Sequence, residues 1–74
     1  MKNVTYAVMN EIVNSAVFAE ENQAPEGRVN YDFVEADLYI ELKERGYDIN
    51  SIDEDEVDML FTNLSNFYGI RWAV

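Results

Sequence analysis

Apolar residues recur at helical spacing in three stretches of the chain. In the first, Val4, Val8, Ile12 and Ala16, with Met9 and Val13 beside them, follow at intervals of three and four with no glycine or proline between. That period predicts a helix over residues 4–19. Valine, threonine and tyrosine in VTYAVM leave a strand open at its start, because branched and aromatic side chains suit a pleated surface. Residues 22–30, NQAPEGRVN, hold the only proline and one of three glycines, and mark a loop.

A second helix is expected from about Tyr31 to Arg45. Asn30 or Asp32 is its cap, Glu35 stands three residues after Asp32 as a capping-box partner, and Gly46 closes it. Its apolar residues form two stripes: Tyr31, Val34, Leu38 and Leu42 on one side, Phe33, Ala36 and Ile40 on another. Such a helix wants two neighbours. Either it lies centrally among three helices, or Phe33, Ala36 and Ile40 meet a second copy in a homo-oligomer.

The third helix has the clearest ends. Asp53 is the N-cap, Glu56 follows at the third position, Ile52 faces Val57 across the cap, and Gly69 lies just past the last turn. Val57, Leu60, Phe61, Leu64, Phe67 and Tyr68 share one stripe, opposite Asp55, Asp58, Thr62, Ser65 and Asn66. Residues 70–74, IRWAV, alternate and favour a strand, with residues 28–31 or the first ten as partner. The alternative is a tail laid over the helices without pairing. The fold expected is therefore mainly α, one small domain of about three helices over residues 1–74, with a short two-stranded β element at 70–74.

Charge changes the picture most. Fifteen Asp and Glu against five Lys and Arg leave a formal net charge of -10 on 74 residues, and residues 1–19 contain only Lys2 and Glu11. A chain this short hides only roughly 60% of its unfolded surface, so its core must be lean. It has no cysteine to reinforce that core, although 49% apolar residues supply enough burial for order. The broken apolar run at the N-terminus reads as neither signal peptide nor membrane span, and a cytoplasmic protein is expected. Nucleic acid and anionic lipid repel such a chain, so direct binding to nucleic acid or membrane is not expected. A basic, nucleic-acid-binding protein attracts it.

The residues for catalysis are missing. Without histidine or cysteine, a base near neutrality would have to be a strongly shifted carboxylate, and zinc would lack its usual ligands. Ser15, Ser51 and Ser65 stand in no nucleophile motif, and Gly27 alone makes no phosphate loop. A calcium loop starting at Asp48 fails at Ile52, Asp53 and Met59. No enzyme activity, metal or cofactor is expected.

The acids divide by setting. Asp53, Glu54, Asp55 and Glu56 occupy a helix start, where the dipole favours each by about 0.3–1 kcal/mol. Asp37, Glu41 and Glu44 lie on one face of the second helix beyond its favourable first turn, and each like pair there costs about 0.2–0.5 kcal/mol. Only Glu41 has an evident ally, Arg45 four residues later. A rigid carboxylate row can imitate phosphates, and Asp55 and Asp58 extend it from the third helix. Tyr39 is a candidate anchor beside the acids, and Trp72 a core plug. In size and composition only, the chain resembles small inhibitory proteins of bacteriophages, such as anti-CRISPR, anti-restriction and polymerase-inhibitor proteins. That resemblance implies a DNA-mimic-like inhibitor and transfers no residue roles; the alternative is a small helical structural or assembly subunit that oligomerises through Phe33, Ala36 and Ile40, its charge serving solubility.

Overall fold

The computed structural model describes residues 1–74. Helix α1 spans Tyr6–Ala16, α2 Tyr31–Glu44 and α3 Glu54–Tyr68; short strands are β1 (Lys2–Asn3), β2 (Gln23–Ala24), β3 (Arg28–Asn30), β4 (Tyr47–Asp48) and β5 (Trp72–Ala73). Every helix begins on a side-chain oxygen that accepts from an otherwise unpartnered first-turn amide. Thr5 Oγ1 accepts from the Val8 amide at 3.3 Å, Asn30 Oδ1 from Phe33 at 3.1 Å, and Asp53 Oδ1 from Asp55 at 2.9 Å. Asn30 is thus the cap of α2, and Glu35 is left free of the capping-box role expected beside Asp32.

The helix ends are closed in two ways. Beyond α3, Gly69 takes the left-handed conformation at φ 68°, where a β-carbon would be strained. For α1 the amides of the following segment do the work: Asn22 Nδ2 donates to Ala16 O at 2.9 Å, and Gln23 Nε2 to Val17 O at 2.9 Å and Ala19 O at 3.0 Å. These bonds stop α1 at Ala16, short of the expected residue 19. Asn22 is the only buried polar residue, and its Nδ2 also donates to Asp37 Oδ2 on α2 at 2.7 Å.

The segment expected as a loop is a hairpin. Strands β2 and β3 pair antiparallel, Gln23 opposite Val29, around a 3₁₀ turn at Pro25–Gly27 in which Glu26 sits at φ 66°. Arg71 donates to the Glu26 carbonyl and clasps that turn. The C-terminal strand expected at 70–74 forms as β5 and pairs parallel with β3, Val29 opposite Trp72. A second small sheet, unforeseen, joins β1 parallel to β4, Lys2 opposite Tyr47. No helix is long and apolar enough to cross a membrane.

The centre of the molecule is α1, in place of the expected α2. Helix α1 packs against both α2 and α3, and buries Met9, Ile12, Val13 and Ala16. On α2 only Val34, Leu38 and Leu42 are buried, whereas Phe33 and Ile40 are 54% and 55% exposed and Ala36 also faces solvent. Acids stand on both sides of the buried α2 stripe, and a further helix laid there would desolvate them. The α3 stripe is also shorter than expected. Val57, Leu60, Phe61 and Leu64 are buried, but Phe67 is 80% and Tyr68 42% exposed, although the Tyr68 hydroxyl reaches Asn14 on α1. Trp72 closes the other end of the core, its ring stacked on Phe61 at 5.3 Å and set edgewise to Tyr31 at 5.3 Å.

Replacing Asn22 by alanine leaves the Ala16 carbonyl with the Ala19 amide alone and removes the charge-assisted tie to Asp37 on α2. The expected loss is about 1–3 kcal/mol, read as a lower urea midpoint. An unchanged midpoint in Asn22→Ala would show that the amide contributes nothing to the α1–α2 junction.

Candidate functional site

The geometry of α2 sorts its acids into two flanks. Successive residues turn by about 100°, so Asp37, Glu41 and Glu44 lie to one side of Leu38 while Asp32, Glu35 and Tyr39 lie to the other. Helix α1 borders the first flank and α3 the second.

Between α1 and α2 runs an open groove of about 490 Å³, lined on its polar side by Glu11, Glu21, Asp37, Glu41, Glu44 and Arg45. One guanidinium shares the groove with five carboxylates and is paired with two of them. Arg45 Nε donates to Glu41 at 3.0 Å, and its Nη1 reaches Glu11 at 3.4 Å. The bond to Glu41, opposed by slight desolvation, raises the Arg45 pKa further above its ordinary value and keeps it charged. Asp37 accepts from Asn22, and exposed Glu44 projects from the next turn. These exposed ion pairs contribute little stability individually.

On the second flank, acids of α2 and α3 face each other. Glu35 is half-buried, and its pKa is raised first by burial and then by the charges of Glu54, Asp32 and Asp58. Tyr39 donates its hydroxyl to Glu54 Oε1 at 3.0 Å. Burial, the bond to Glu54, and the charges of Glu54 and Glu35 push the phenol up to about 12. Tyr31 is raised as well, by burial and then by Glu35, Asp58, Asp32 and Glu54.

The expected continuous row is therefore split. Asp37, Glu41 and Glu44 do share one groove, but Asp58 belongs to the opposite flank with Glu35 and Glu54, and Asp55 is exposed on α3 outside the groove. The cause is topological: α3 lies along the Tyr39 side of α2, so its acids cannot reach Asp37. Tyr39 is near Glu35 as expected, yet its hydroxyl is already engaged by Glu54. Glu11 and Glu21 in the groove were not among the expected residues, nor were Glu35 and Glu54, which had read as capping and first-turn acids. The helical wheel carried a usable signal, since it sets Asp32, Glu35 and Tyr39 together across Leu38 from Asp37.

No three carboxylates converge closely enough to hold a metal ion. Comparison with protein-family models, curated proteins and solved structures finds no match.

The raised pKa of Glu35 has a definite sign for stability. The folded state holds this proton more tightly than the unfolded chain, so ionised Glu35 weakens the fold at neutral pH. That penalty disappears as pH falls through the raised folded pKa to below the ordinary 4.5. Glu35→Gln is expected to melt higher than the parent at pH 7, with the difference shrinking toward zero on acidification below the ordinary value. A pH-independent difference in melting temperature would contradict the electrostatic cause.

Proposed function

We propose that this chain is a noncatalytic acidic binding protein that occupies a basic, nucleic-acid-binding surface of another protein, acting as a DNA-mimic-like inhibitor. The observation that carries the reading is the α1–α2 groove, which five carboxylates line with a single guanidinium that is paired with two of them. Ionised acids crowded on a small fold repel one another, and that repulsion is released when a basic surface docks. The acids of α2 lie three and four residues apart along one face, with Cβ atoms about 5–6 Å apart, which lets a row of lysines or arginines meet them in register. Asp37, Glu41 and Glu44 supply the principal contact. Asp55 and Asp58 supply a separate one on α3, and Tyr39, bonded to Glu54, borders that second contact as a fixed ring.

The chain, immobilised and passed over a bacterial lysate, is expected to retain a nucleic-acid-binding protein at about 50 mM salt and release it near 500 mM, where screening shortens to a few ångströms. The retained protein should lose its DNA or RNA in proportion to added chain. Glu44→Lys, Asp55→Lys and Asp58→Lys combined, all at exposed positions, should weaken the complex by on the order of tenfold per contacting acid while the helical circular dichroism stays unchanged. Undiminished binding by this variant, or a complex that still holds nucleic acid, would sink the reading.

A further inference from the structure

Against the acidic flanks stands one face with almost no charge. Residues 59–70 contain no ionisable acid or base other than Tyr68, and in α1 the only charged residue is Glu11, which turns toward α2 and Arg45. Where α1 and α3 run side by side, the exposed surface is therefore aromatic and amide: Phe18 is 62%, Phe67 80% and Tyr68 42% exposed.

This face is ordered from within. The rings of Phe18 and Phe67 stand edgewise to Tyr68 at 5.0 Å and 4.9 Å. The Tyr68 hydroxyl donates to Asn14 Oδ1 at 2.6 Å, Asn14 Nδ2 donates to Asn10 O and Oδ1 at 2.9 Å, and Asn63 Nδ2 donates to the Tyr6 hydroxyl at 3.2 Å. These polar atoms already have partners, so covering them leaves few groups unsatisfied. The rings are held in place, so little side-chain freedom remains to be lost on contact.

We propose that this α1–α3 face is the contact surface for a second copy of the chain. Charge identifies the occupant. Two copies at -10 each repel wherever carboxylates meet, and this is the broad exposed face on which they can touch without bringing acids together. A basic partner has no carboxylate to engage here. The exposed Phe33 and Ile40 on α2 make a poorer self-contact, because Asp32, Asp37 and Glu44 lie beside them on that helix. Two helices side by side over ~15 Å offer about 1,000 Å² of total buried surface, the size of a weak reversible dimer. In such a dimer both acidic flanks stay open on each copy.

Sedimentation equilibrium from ~10 μM to ~1 mM tests this, the range in which an interface of about this size half-assembles. The mass is expected to rise toward twice the 8.6 kDa of one chain. Added salt should strengthen the association by screening the mutual repulsion, the reverse of its effect on an acid-to-base complex, so the two proposals fail independently. Phe67→Glu, at a position 80% exposed, should raise the dissociation constant roughly tenfold or more with unchanged thermal melting. A monomer at every concentration would overturn the proposal. So would a dimer that survives Phe67→Glu, or one dissociated instead by Ile40→Asp.

Discussion

Fifteen carboxylates must remain in water on a chain with room for only a small core, and that desolvation requirement decides which helix can be surrounded. Helix α1 carries one carboxylate and no cation, so it alone can accept a helix on each side. Helices α2 and α3 each bury a single stripe against it and keep their acids at the edges. The acidic groove, the acid-against-acid flank at Glu35 and the neutral α1–α3 face all follow from this arrangement. They are the sides of α2 and α3 that the core could not use.

A core this lean depends on its junctions. Asn22 sits where the C-terminus of α1, the hairpin and α2 meet, and it is the one buried polar side chain in the molecule. Its amide adds to the Ala19 amide a second bond on the last carbonyl of α1, and its other bond joins Asp37 to the α1 side. Asp37 is thus both a member of the acidic flank and part of the scaffold. The terminal strands work in a similar way from the outside: β1 joins the segment after α2, and β5 joins the segment before it. Both ends of the chain are thereby tied to the flanks of α2.

Helix positions were legible in the sequence because caps and stops are local. Asn30, Asp53, Gly46 and Gly69 mark their boundaries through bonds or torsions within a few residues. The pairing of the tail with residues 28–31 could be anticipated from alternation in IRWAV. The two-residue strands β1 and β4 could not, since Lys2–Asn3 and Tyr47–Asp48 are too short to show any period and gain their partners only through tertiary packing. The apolar pattern of α2 misled for a related reason. Phe33 and Ile40 look like a second buried face on a wheel, but neither of the other two helices of the fold covers them. The scarcity of charge in residues 1–19 was the better guide to the central helix, a signal in what the segment lacks.

For the candidate site, residue type was legible and convergence was not. Carboxylates three and four apart on α2 had to share a face, so Asp37, Glu41 and Glu44 belong together by helical geometry alone. Whether Asp55 and Asp58 join them depends on which side of α2 the third helix takes, a tertiary fact absent from local spacing. The structure sets α3 beside Glu35 and Tyr39, and this divides the negative surface in two while concentrating repulsion at Glu35. That division has a physical consequence for any assembly. A strongly acidic protein whose charge was uniform would repel a second copy of itself on every face. Five of the fifteen acids lie along the edges of α2 and five more at residues 53–58, and this crowding leaves the α1–α3 face nearly free of charge. Were both proposed contacts made, ionic strength would act on the two kinds of surface in opposite directions, within one fold and without any change in its conformation.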